Sequence, residues 1–153
     1  MRSAAWGVAA VLPLLLALSG ISQKAAAQPS TCVKTDFEAV VNEAGAALRD
    51  LNRENTPRFQ GKLRDLKDKR GWGNDQFLKE AEPFVRDGEI VIYDQKSEQL
   101  LNRITGGGQL GASGAAPDCT VLADLRAAMK VLVETQKAKW THMFAKIDKE
   151  LAK

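Results

Sequence analysis

Hydrophobic and polar positions alternate with a helical period over most of this chain, most clearly in its last third. Between Asp118 and Lys153 the apolar stripe runs Leu122, Leu125, Met129, Leu132, Trp140, Met143, Ile147 and Leu151, with Gln136 its one polar member. Eight steps span 29 residues, about 3.6 residues per step, which is the period of a straight helix packing one face on a core. No Gly or Pro interrupts Thr120 to Lys153, so the pattern predicts one long helix. Such a rod gains most of its stability by burying its stripe, so the rest of the chain must supply partners.

Two earlier stretches have matching patterns. In Thr35-Asp36-Phe37-Glu38 the T-x-x-E spacing predicts a capping box opening a helix, with Phe37, Val40, Val41, Ala44, Leu48 and Leu51 on one face. Thr56-Pro57 reads as a new cap with Pro at the first helical position, and Phe59, Leu63 and Leu66 resume the stripe as far as Arg70. Residues 35–70 therefore form one arm, broken or kinked near Pro57. Gly71-Trp72-Gly73-Asn74 is a reversal. The second arm carries Phe77, Leu78, Ala81, Phe84 and Val85, is disturbed from Pro83 to Gly88, and resumes with Ile90, Tyr93, Leu100, Leu101 and Ile104. Ile90-Val91-Ile92 has strand-like composition, but nothing else in the chain offers a strand to pair with it, so a helix is expected. Gly106-Gly107-Gly108 is expected to end the arm, and residues 105–117, rich in Gly, Ala and Ser, to form a flexible linker.

Short connections between arms of similar length predict an all-α fold, an antiparallel up-down-up bundle of three long arms that the breaks divide into four or five helices. In that topology the first and third arms run parallel, and their N-termini share one end of the bundle.

The first 27 residues change the compartment. Met1-Arg2, an apolar run from Ala4 to Leu18 containing Pro13, and Ala25-Ala26-Ala27 have the order of a secretory signal peptide, cleaved after Ala27. The apolar run is shorter than the roughly 20 residues of a spanning helix, so no stable membrane insertion is expected after cleavage. Residues 28–153 then form a single helical-bundle domain in the periplasm or outside the cell. Removing Arg2 and Lys24 from 22 basic residues leaves 20 against 19 acidic ones, a net charge of +1. A nearly neutral domain without a basic stripe gives no case for nucleic acid.

Two cysteines remain, Cys32 and Cys119, and in an exported chain they have one intramolecular pairing. They precede the first and third arms, whose N-termini the topology places together. A bridge between them is expected on both grounds. Neither zinc ligation nor a redox C-x-x-C motif fits two cysteines so far apart in sequence.

Candidate chemistry is sparse. The only histidine, His142, lies about 200° around the helix from Trp140 and is expected to face solvent without convergent partners. Met129 and Met143 lie near the stripe and read as core filler, and neither a metal nor a cofactor is expected. Lys62, Arg64, Lys67, Lys69 and Arg70, interleaved with Asp65 and Asp68, suggest i,i+4 pairs on a solvated face. Trp140 falls level with both interrupted regions of the other arms. Trp140, Phe59, Phe84 and Tyr93 are accordingly the residues of a candidate apolar pocket within the bundle.

These features point to an exported, non-enzymatic bundle that binds a protein or a small apolar ligand. The alternative is a small all-helical exported enzyme. Secreted chorismate mutases, which hold an anionic substrate with Arg and Lys inside a bundle, are its analogy in fold class. That alternative requires buried cations among Arg49, Arg53, Lys79, Arg86 and Arg103.

Overall fold

A computed structural model describes residues 31–114 and 116–153; residues 1–27, expected from sequence to be a signal peptide, lie outside the described residues. Four helices follow in order: α1 Lys34–Arg70, α2 Asn74–Val85, α3 Gly88–Ser113 and α4 Cys119–Leu151. Together α2 and α3 make the second arm, and among the described residues there is no strand, so Ile90-Val91-Ile92 is helical.

Cross-helix contacts fix the directions. At one end Cys32 and Cys119 form the expected disulfide, with Cα atoms 5.5 Å apart. At the other, Lys62 pairs with Asp148 and Arg70 with Glu150, so α1 and α4 run parallel. Arg103 faces Asp124, Ser97 meets Gln136 and Asp87 meets His142, so α3 is antiparallel to α4.

The core divides into two clusters. Phe37, Val40, Ala44, Ile104, Leu122, Leu125, Ala128 and Leu132 fill the disulfide end. Phe59, Leu63, Leu66, Phe84, Ile90, Met143 and Ile147 fill the distal end. Between them Gln136 Nε2 donates to the buried Ser97 hydroxyl at 2.7 Å, so the polar interruption of the α4 stripe has its partner on α3.

Several local expectations are corrected. Thr35 is not the N-cap of α1. The helix begins after Val33, and the Asp36 carboxylate accepts the Val33 N–H at 2.9 Å, so a carboxylate two residues nearer than Glu38 closes the first turn. Pro57 lies inside an unbroken α1 and does not start a new helix. Its ring removes the N–H that would bond Arg53 O. Phe59, Leu63 and Leu66 nevertheless stay on the buried face, and their packing outweighs that local loss. In the second arm Pro83 also sits within a helix, and the break falls at Arg86 and Asp87.

The largest correction is residues 105–117, which are mostly not a linker. α3 continues through the triple glycine to Ser113. Phe37 and Val41 press so closely against this helix that β-carbons on Gly111 and Gly108 would overlap their side chains, and one on Gly107 would lie 2.7 Å from Leu125 Cδ2. Three of these glycines let helices approach, and burial of Phe37 on them offsets their poor helix propensity.

Candidate functional site

The distal end differs from the rest because the second arm is split there. Gly71, at φ 65°, takes the left-handed conformation that turns the chain out of α1. After that turn α2 packs chiefly on α4, burying Phe84 and partly burying Phe77 and Ala81. It then ends at Arg86, and Asp87 starts α3.

Asp87 organises this elbow. Its Oδ1 accepts the Ile90 N–H at 2.8 Å, which caps α3. Its Oδ2 accepts from Lys146 Nζ on α4 and faces His142 Nε2 at 2.9 Å. The same Lys146 ammonium donates to Pro83 O in the last turn of α2. One cation thus joins the negative end of α2 to the N-cap carboxylate of α3. The bonds from Lys146, His142 and Ile90 hold the Asp87 carboxyl well below the ordinary carboxylate range.

His142 is not the solvent-facing residue that its helical position suggested. Its Nε2 faces Asp87 and its Nδ1 lies 3.2 Å from Glu89 Oε2, while Tyr93 packs on its ring at a centroid distance of 6.3 Å. Tyr93 donates to Glu89 Oε1 at 2.7 Å, and that bond raises the Tyr93 pKa. A general base must offer a lone pair to substrate. Both His142 nitrogens instead face carboxylates, so this constellation serves as a latch between α3 and α4. Its members come from two helices, and no spacing along either one signalled the convergence.

The four residues of the candidate pocket do not line one cavity. Phe59 and Trp140 meet edge to face at 6.0 Å, and both adjoin the distal core that includes Phe84. Trp140 lines a cleft on the α1/α4 side with Arg58, Lys62 and Phe144, whereas Phe84 lines a different one under α2. Tyr93 stands apart, on the face it shares with His142 and Glu89.

The cleft under α2 has about 630 Å³ of space. Leu66, Trp72, Pro83 and Phe84 supply its apolar surface, and Arg70, Lys146, Lys149, Glu80 and Glu150 its charges. It opens because α2 packs mainly on α4, leaving the last turns of α1 to form the opposite wall. The basic run of α1 contributes here in a way the sequence did not suggest. Among the described residues Arg64 and Asp68 do not pair, nor do Asp65 and Lys69. Instead Arg70 reaches Glu150 at 2.9 Å, Lys69 donates to Leu151 O, and Lys67 donates to Asn74 Oδ1 at 2.7 Å. The bond from Lys153 holds the Glu150 carboxyl below its ordinary value, with smaller help from Arg70 and Lys149.

The five cations required by the enzymatic alternative, Arg49, Arg53, Lys79, Arg86 and Arg103, are all exposed. Among the described residues no group of three or more His, Cys, Asp or Glu is placed to hold a metal ion, and no helix is long and apolar enough to cross a membrane. The intramolecular disulfide fits an extracellular, oxidising location. No protein-family model, curated protein or solved structure matches the chain.

Proposed function

We propose that the protein is an exported, non-enzymatic binding protein of the periplasm or extracellular medium, released by cleavage of its N-terminal signal segment, and that it takes its ligand in the cleft under α2. The observation that carries this reading is the cleft itself: its volume of about 630 Å³ lies in the range of small-ligand sites, and an aromatic and aliphatic surface is rimmed by a few charges. The Trp140 side is the weaker candidate, because Arg58 lies over the Phe144 ring and covers the apolar surface there.

Binding of an apolar fluorescent dye to the oxidised protein tests the proposal. Dye is expected to bind, and Gln76→Arg, which extends a long side chain from an exposed position into the cleft, is expected to abolish binding without lowering the melting temperature. Dye binding that is unchanged in Gln76→Arg contradicts the cleft as the site.

A protein partner is the second reading, favoured by Leu78 and Val85. They lie seven residues apart on one face of α2 and are 73% and 46% exposed. If that face is the site, Leu78→Ser removes dye binding and Gln76→Arg does not.

A further inference from the structure

The clefts around the distal end differ in how their charges are matched. On the Trp140 side every cation has an anion: Arg58 pairs with Glu54, Lys62 with Asp148 and Lys137 with Glu134. Beside Tyr93, Glu89 is engaged by His142 and Tyr93, and Glu134 again by Lys137. Under α2 the matching is incomplete. Arg70 is taken by Glu150 and Lys146 by Asp87, but Lys149 on α4 and Glu80 on α2 make no ion pair or hydrogen bond among the described residues. Apart from the attraction of Lys149 to the already engaged Glu150, one cation and one anion without a direct partner thus stand on the two helices bordering a cleft whose apolar surface includes Trp72 and Phe84.

We infer that this cleft binds a short apolar peptide with free termini, its carboxylate at Lys149 and its ammonium at Glu80. The inference rests on the cleft being the binding site and adds the chemical class of its ligand. An aliphatic carboxylate satisfies Lys149 but lays an apolar tail beside Glu80, which loses hydration without gaining a partner. A single amino acid carries both charges on one carbon and has little apolar surface to set against Leu66, Trp72 and Phe84. The cleft is also several times the volume of one residue. A peptide of three or four residues separates its two charges and places apolar side chains against Leu66, Trp72 and Phe84. The charges lie at an exposed rim, so each contributes modestly and the apolar body supplies the remainder.

The test is calorimetric titration of the oxidised protein with the tripeptide Leu-Phe-Leu, its N-acetyl form, its C-terminal amide and octanoate, alongside the apolar dye. The free tripeptide is expected to bind, with either block weakening it about 1.5- to fivefold, the range of an exposed charge pair. Lys149→Gln is expected to weaken the free peptide and leave the amide unaffected, and Glu80→Gln to weaken the free peptide and leave the acetylated form unaffected. Both positions are exposed, so folding should not be disturbed. Equal binding of free and blocked peptides, octanoate binding as tightly as the peptide, or a terminal preference that survives both substitutions overturns the inference. Dye binding without peptide binding overturns the inference and leaves the cleft as a site. Binding of neither overturns both.

Discussion

At the scale of single residues, Asp87 carries more of the architecture than any other polar group at the distal end. It caps α3, anchors Lys146 and faces His142, and each contact requires a carboxylate or at least its oxygens. Asp87→Asn keeps a competent N-cap and loses the charge, whereas Asp87→Ala loses both. Chemical denaturation near neutral pH is therefore expected to show a loss of about 1 kcal/mol for Asn and about 2 kcal/mol for Ala, with partial exposure discounting the ion pairs. The sign of the pH dependence follows from the direction of the Asp87 shift. A carboxyl held below its ordinary value in the fold contributes stability that is fully present above the ordinary carboxylate range, near 4. That stability is lost as pH falls through this range toward the lowered value. Melting between about pH 2 and 6 should show a smaller acid-induced decrease for Asp87→Asn than for the parent protein. An equal decrease would mean that Asp87 does not hold the elbow in solution.

His142 and Gln136 show what was and was not legible at this scale. Gln136 is visible in the sequence as the one polar member of an apolar stripe, but the Ser97 hydroxyl that its amide meets lies on another helix. His142 gave no such signal. It sits off the stripe of α4, and its partners enter only because the second arm breaks at Arg86 and Asp87.

At the scale of elements, the 3.6-residue period identified three arms correctly, because burial of a continuous face dominates helix stability. Local breakers were the misleading signals. Pro57 costs one hydrogen bond in a helix of 37 residues whose stripe continues on both sides, so packing carries α1 through it. Pro57→Ala is expected to raise stability by about 1 to 3 kcal/mol, measured by denaturant unfolding. The glycines of α3 were misread because their function lies on neighbouring helices. A glycine where Phe37 or Val41 arrives leaves no trace in the period of its own helix. Two substitutions separate space from propensity. Gly106 has open space where a β-carbon would project, and Gly106→Ala should stabilise by about 0.5 to 1 kcal/mol. Gly111→Ala places its methyl group into the Phe37 ring and should destabilise by about 1 to 3 kcal/mol. A stabilising effect at Gly111 would contradict the close approach of α1 and α3.

For the whole molecule, topology and disulfide were each legible, the first from arm lengths and the second from cysteine count and compartment, and they met at one end of the bundle. Cys32 and Cys119 are 87 residues apart in sequence, so the bridge closes a loop that contains α1, α2 and α3. Replacing both cysteines with Ser should lower stability by up to about 4 to 5 kcal/mol, the loop-closure limit. The cleft was not legible. It depends on the angle at which a twelve-residue helix, α2, leaves α1 and docks on α4. No periodicity encodes that angle; it is set by the Gly71 turn at one end and the Lys146–Asp87 latch at the other. The sequence assigns the candidate residues to a common pocket, whereas the fold distributes them over different faces.

The cleft as the binding site is most directly tested by a heteronuclear NMR titration of the oxidised, isotope-labelled protein with the apolar dye. The expected result is saturable shifts of the Trp72 indole N–H and of amides around Leu66, Gln76 and Phe84, with the Trp140 indole little changed. Shifts confined to Trp140 and Phe144, or to the outer face around Leu78 and Val85, would contradict it.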